Sequence, residues 1–160
     1  MKRFCFLFIV LTLFSCEGLP DNPQGLRALA DKMETQKDTY DKAYDNWGSG
    51  DVASTFTAYL NGDTVAFIEE HMTRGTSGRS INRYYFFDDL LFGYRENRTN
   101  SDTTHVEIEI LFDVNGEILI ANQKKDKKPI AIDSYIASMA KKHGQTLREL
   151  AKDAPHIQSK

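Results

Sequence analysis

Four histidines, His71, His105, His143 and His156, are the first residues to weigh for metal or acid–base chemistry. A zinc site gathers histidines or cysteines at short spacings that one helix turn or one loop can bring together. None of these four has a histidine four residues away or a cysteine companion, so the sequence predicts no metal and no other cofactor. Asp113-Val114-Asn115-Gly116-Glu117 is similar to the middle of a calcium loop, but that register puts Leu111 and Asn122 where carboxylates are needed. The segment reads as a hairpin turn. No Gly-x-Ser-x-Gly elbow, phosphate loop or dinucleotide fingerprint occurs. Without a nucleophile, base and oxyanion donor in a recognisable pattern, the expectation is a protein that is not an enzyme.

Binding chemistry has one candidate. Arg74, Arg79 and Arg83 flank a glycine-containing loop and run into Tyr84-Tyr85-Phe86-Phe87. Arginine and tyrosine are enriched at binding hot spots. In a strand, Tyr85 and Phe87 share one face while Tyr84 and Phe86 share the other. One pair belongs to the core and the other meets a partner or a covering helix. The candidate partner-binding set is therefore Arg74, Arg79, Arg83, Tyr84 and Phe86, with an envelope protein or an anionic glycan as partner. The competing reading has a helix lying over that face and the arginines paired with nearby acids.

The elements that must position these residues follow from periodicity. Asn22-Pro23 reads as a helix cap and first turn. Leu26, Leu29, Met33, Tyr40, Ala43 and Trp47 then recur at helical steps, interrupted at Gln36, and predict an amphipathic helix from Leu26 to Trp47 that Gly48-Ser49-Gly50 ends. Counted from its cap, such a helix of about 25 residues is about 37 Å long and either packs on its own sheet or stands away as a stalk; packing is the reading preferred.

From Thr55 to Lys125 the period is two. Strands are predicted at Thr55–Leu60, Thr64–Met72, Ile81–Phe87, Leu90–Glu96, Val106–Phe112 and Glu117–Gln123. Asn61-Gly62 and Asn115-Gly116 are strong hairpin signals, and Asp88-Asp89 a third turn. Lys124 to Lys128 holds four lysines and reads as a solvated turn. Ile132, Tyr135, Ile136 and Met139 predict a helix stopped by Lys141-Lys142-His143 and Gly144. Thr146-Leu147-Arg148-Glu149 opens a second, short helix that Pro155 closes. The predicted fold class is α+β: an N-terminal amphipathic helix, an antiparallel meander of about six strands and two short C-terminal helices.

The N-terminal segment supplies an address. Lys2 and Arg3 precede an apolar run from Phe4 to Phe14, the charged-then-apolar order of a secretory signal peptide. Its eleven residues fall short of the roughly 20 that a spanning helix needs. Leu13-Phe14-Ser15-Cys16 resembles the lipobox of bacterial lipoproteins. That resemblance implies cleavage between Ser15 and Cys16 and a lipid on Cys16, a palmitate-type anchor. Cys5 lies in the segment removed, so Cys16 is the one thiol left and has nothing to pair with. Glu17 follows where enterobacterial lipoproteins carry the aspartate associated with inner-membrane retention. By resemblance the address is then the outer membrane, facing the periplasm. The predicted organisation is a signal peptide over 1–15, a lipidated cysteine and tether over 16–22, one domain over 23–155 and a tail over 156–160.

Cleavage removes two of the 20 cations and none of the 23 anions, leaving a mature charge of −5. An acidic domain has no electrostatic footprint for nucleic acid, and acyl chains rather than charge must hold it on the bilayer. Asn97-Arg98-Thr99 fits a glycosylation acceptor, which has no role in a bacterial envelope. Three functions are compatible with these observations: a non-catalytic binding or accessory module, an inhibitor of a lysozyme-type hydrolase, and an enzyme without a recognisable motif. Ser77-Gly78 resembles the Ser-Gly loop of bacterial lysozyme inhibitors. The tyrosine, lysine-glycine pair and paired cysteines that accompany that motif are not in place, so no role is carried over.

Overall fold

The computed structural model describes residues 18–157; the signal segment, Ser15 and Cys16 lie outside the described residues. Helix α1 spans Pro23–Thr35. Eight strands follow in sequence: β1 Asp41–Ser49, β2 Val52–Asn61, β3 Thr64–Arg74, β4 Gly78–Phe87, β5 Leu90–Asn100, β6 His105–Phe112, β7 Ile118–Lys125 and β8 Lys128–Ile130. Helix α2, Ser134–Asp153, returns the chain to the far edge, where the two-residue β9, His156–Ile157, pairs with β1. β1 to β8 each pair antiparallel with their sequence neighbours, and β9 closes the order β8-β7-β6-β5-β4-β3-β2-β1-β9 against β1.

The class is α+β, but with more strand and less helix than the sequence pattern predicts. The predicted helix Leu26–Trp47 stops at Thr35, and its second half is β1. Ala43 and Trp47 are four residues apart, a spacing that lies on one face in a helix and in a strand alike. Gly48 to Gly50 does not end a helix; it leads into the β1–β2 hairpin, with Gly50 at φ 62°. The predicted six strands gain β1, β8 and β9, and the predicted loop over Thr73–Ser80 narrows as β3 and β4 extend into it. The lysine run is the β7–β8 turn, with Asp126 and Lys127 both at positive φ.

The predicted pair of C-terminal helices is also corrected, because α2 runs unbroken through Gly144. A Cβ at Gly144 would sit 2.8 Å from Tyr84 Cδ1. Glycine there is the contact point that lets the helix approach the sheet, not a stop.

The two helices cover opposite faces. Leu26, Ala30 and Met33 of α1 pack on Tyr59, Phe67, Tyr85, Phe92 and Leu111. Ala137, Ala140, Leu147 and Ala151 of α2 pack on Phe56, Ile68, Tyr84, Tyr94 and Ile110. Tyr84 and Tyr85, adjacent in sequence, thus anchor two separate cores, as the alternation of a strand requires. Burying both faces of one sheet is what holds the two short helices to it.

Candidate functional site

The strand register sets three polar residues in a row on the face beneath α2. Glu70 of β3 lies opposite Asn82 of β4, and Asn82 lies opposite Glu96 of β5. Their neighbours along each strand on this face include Ile68, Tyr84 and Tyr94, all buried. A polar row inside an apolar face is costly unless each group finds a partner.

Glu70 finds five. Its Oε1 accepts from Trp47 Nε1 at 2.9 Å and Ser54 Oγ at 2.7 Å, and lies 2.9 Å from His143 Nε2. Its Oε2 accepts from Asn82 Nδ2 at 2.9 Å and from the Tyr84 hydroxyl at 3.2 Å. The residue is 0% exposed. Burial alone pushes this carboxyl up, but the bond and charge of His143, with the bonds from Asn82 and Ser54, outweigh it and hold the group at about 2. An ionised carboxylate only accepts, so His143 Nε2 carries the proton and donates. The imidazole is also flanked edge-on by two rings, Trp47 at 5.2 Å and Tyr84 at 5.8 Å between centroids.

In front of this cluster lies a cavity of about 430 Å³ between α2 and the sheet. Trp47, Asn82, Tyr84, Tyr94, Glu96 and His143 line it, with Arg74 and Arg98 at its polar end and Met72, Ile108, Ile136 and Met139 along its apolar walls. The orientation of Asn82 is fixed from behind: its amide nitrogen is committed to Glu70, which leaves Oδ1 without a partner. Glu96 takes the Tyr94 hydroxyl on Oε2 at 2.9 Å, while its Oε1 has no hydrogen bond and sees Arg98 Nη1 only at 3.4 Å. Arg98 Nε is buried and also unbonded. Asn82 is 2% and Glu96 5% exposed. Asn82 Oδ1 and Arg98 Nε are thus buried without a hydrogen bond, and Glu96 Oε1 has only its ion-pair approach to Arg98.

The opposite face also carries a trough, of about 620 Å³, beyond the end of α1, lined by Thr55, His71, Thr73, Arg79, Asn97 and His105 among others. It is the larger hollow. Thr55, His71, Thr73, Arg79, Asn97 and His105 are exposed to solvent, while the buried Ser54 and Ser80 also border the trough, and its histidines have partners in Glu69 and Thr99. Arg98 borders both hollows, and the cavity under α2, walled by the buried rings of Tyr84 and Tyr94 and closed over by a helix, is the stronger site.

Beneath α1 runs an ion-pair layer. Arg27 grips Glu109 with three hydrogen bonds of 2.6–3.1 Å. Arg95 meets Asp31 at 2.7 Å and Glu34 at 3.1 Å, and Arg83 meets Glu69 at 2.8 Å and Glu34 at 3.6 Å. The Tyr85 hydroxyl donates to Glu34. Burial first, then the Glu34 carboxylate, push that phenol far above its ordinary range.

The five residues predicted to bind a partner are not brought together. Arg74 and Tyr84 share the cavity under α2, with the Tyr84 ring buried. Phe86 is buried deeper in the same core. Arg83 belongs to the ion-pair layer on the opposite face, and Arg79 is exposed on that face beside Thr73 and Thr99. The sequence reading missed Glu70, Asn82, Glu96, Arg98, Trp47 and His143. The signal was positional: Glu70 sits between Ile68 and Met72, and Asn82 two residues before Tyr84, each a polar residue at an inward position of a strand.

The turn over Asp113–Glu117 is closed by Asp113 itself, whose Oδ1 accepts from Asn115 N at 2.8 Å and Glu117 N at 2.7 Å. Among the described residues, no three His, Cys, Asp or Glu side chains gather as metal ligands, and no helix is long and apolar enough to cross a membrane. Comparison with known proteins finds no family model, no curated protein and no solved structure that matches this chain significantly.

Proposed function

We propose that this chain is a lipid-anchored bacterial envelope protein, carried on Cys16 at the outer membrane and facing the periplasm, whose α+β domain is a non-catalytic binding module. Its ligand is held in the cavity between α2 and the sheet. The observation that carries the binding reading is the cavity itself, walled by Trp47, Tyr84, Tyr94, Ile136 and Met139, with Glu96, Arg74, Arg98 and His143 among its lining residues. A concave, mostly apolar site with a few convergent polar groups is the usual form of a small-ligand pocket.

The chemistry of the cluster favours binding over catalysis. His143 spends Nε2 on Glu70, and Glu70 is saturated with five donors. Among the described residues no serine, threonine or cysteine is bonded to the imidazole to act as a nucleophile. Glu70 works as a buried anchor that fixes the orientation of four lining residues, Trp47, Asn82, Tyr84 and His143.

Trp47 is the chain's single tryptophan and lines the cavity, so it reports on occupancy. Titrating the full-length protein in detergent with a library of small polar-headed fragments tests the reading. Saturable change of Trp47 emission by one or more fragments, weakened in Met139→Phe, supports it. A library that leaves the emission unchanged contradicts it.

A further inference from the structure

The lysine run becomes, in the fold, one corner of the sheet. Lys125 and Lys128 close the β7–β8 hairpin through Asp126 and Lys127, both at positive φ, so the cations stand on a tight two-residue turn. Asp126, the acid among them, spends Oδ1 on the backbone N–H of His105 at 2.9 Å. Lys124 comes only within 4.0 Å of Glu107, and Lys125, Lys127 and Lys128 make no ion pair among the described residues. All four lysines are exposed. Strand alternation sends Lys124 to the face under α1 and Lys125 and Lys128 to the face under α2, so both sides of the edge are cationic. Apolar groups stand beside the charges. β8 pairs only with residues 123–125, which leaves residues 118–122 as the outermost strand, and Ile118, Leu119 and Ile130 are exposed along this edge. Tyr135, 65% exposed, opens α2 just after β8.

The same edge is the one nearest Cys16. α1 crosses the strands from β6 toward β4, since Arg27 near its start grips Glu109 and Glu34 near its end meets Arg83. Arg27 and Lys124 border one hollow. Leu19 already packs against the core under α1, and Cys16 precedes it by three positions, a reach of about 10 Å. Lysines mixed with aliphatic side chains and a tyrosine suit a bilayer interface, where the apolar groups enter among the headgroups and the ammonium groups meet phosphates. Resting on the lipid-anchor reading above, we propose that the β7–β8 edge lies on the anionic phospholipid headgroups of the leaflet that holds Cys16. The acyl chains hold the protein there, and the lysines fix which edge faces down. β1 then stands seven strand spacings away, about 34 Å, far outside a Debye length of about 8 Å.

The test takes the protein, purified in detergent from its own envelope, into vesicles of two compositions. One is phosphatidylcholine alone, and the other is phosphatidylcholine mixed equally with phosphatidylglycerol. A short pulse of acetic anhydride labels free amines, and mass spectrometry gives the rate at each lysine. The proposal expects Lys124, Lys125, Lys127 and Lys128 to react several-fold more slowly in the anionic vesicles, with Lys42 of β1 and Lys152 of α2 unchanged. Salt of about 1 M, where the Debye length is about 3 Å, erases the difference. A variant carrying Lys125→Glu, Lys127→Glu and Lys128→Glu stays in the vesicles and loses the protection of Lys124. Equal rates in the two compositions, or equal protection of Lys42 and Lys152, overturn the proposal, and an intact mass that includes the lipid then leaves the anchor standing. A chain of unlipidated mass that floats with neither vesicle removes the anchor and this orientation together. The wild-type comparison decides the matter even where the triple variant does not fold.

Discussion

The imidazole Nε2 of His143 lies 2.9 Å from Oε1 of Glu70, joining the middle of α2 to the third strand of the sheet. One contact away, Gly144 lets the helix backbone close onto the Tyr84 ring, whose hydroxyl reaches the same carboxylate. The helix is thus held against the sheet by a polar cluster and a small residue side by side. The cavity opens beside that fixed point, along the flank that carries Ile136, Met139 and His143.

Replacing Glu70 by Gln is expected to destabilise the fold by about 3 kcal/mol, because an amide nitrogen then meets donors and His143 loses its acceptor. The same variant gives the pH signature. The Glu70 carboxyl falls from its ordinary 4.5 to about 2 in the folded protein. A lowered folded value means that its stabilisation is complete above pH ~4.5 and is lost as pH falls toward ~2. Denaturant unfolding of wild type and Glu70→Gln across that window should show the gap between them closing on acidification. A gap that stays constant to pH ~2 contradicts the assignment.

Gly144→Ala sets two effects against each other. Alanine gains about 1 kcal/mol of helix propensity. Its Cβ, however, lands 2.8 Å from the buried Tyr84 ring, whose hydroxyl is tied to Glu70. Overpacking of this kind costs about 1–3 kcal/mol, so the net outcome is destabilisation with a lower denaturant midpoint. A stabilised variant would show that helix and sheet have room to separate.

Arg83 and Arg79 share a strand face and differ in what surrounds them. Arg83→Glu places a carboxylate against Glu69 and Glu34 and is expected to cost about 2 kcal/mol. Arg79→Glu sits in solvent and should stay within about 0.5 kcal/mol of wild type. Thermal melts of the two variants side by side separate the ion-pair layer from the bare surface.

Cys16→Ala tests the anchor alone. Without the thiol there is no site for the diacylglycerol, and the protein should move from the detergent-rich to the aqueous phase in a cloud-point partition of cell extract. Retention in the detergent phase contradicts lipidation at Cys16.

Most of the meander was legible in the sequence because hydrophobic alternation and turn chemistry agree over Val106 to Gln123 and about Asn61-Gly62 and Asp88-Asp89. β1 was hidden for a specific reason: Ala43 and Trp47 satisfy both periods, and only the break at Gln36 argued against a helix running on to Trp47. Gly144 looked like a stop because a helix glycine that exists for packing cannot be told locally from one that ends the helix. The site was less legible than the fold. His143 lies far from Glu70 in sequence, and Glu70, Asn82 and Glu96 become one row only when β3, β4 and β5 are aligned. What could be read was that each is a polar residue at an inward position. Arginines and aromatics in sequence proximity drew attention instead, and alternation then sent Arg79 and Arg83 to one face and Tyr84 and Phe86 to the other.

The central claim is that the cavity under α2 holds a small ligand. Native mass spectrometry of the full-length protein, released gently from its own envelope into detergent, tests this most directly. The account predicts a one-to-one adduct of low mass that is depleted in Met139→Phe, whose larger side chain fills the cavity. A protein that flies at its bare lipidated mass, and that takes up no small molecule when the envelope's soluble extract is added back, contradicts it.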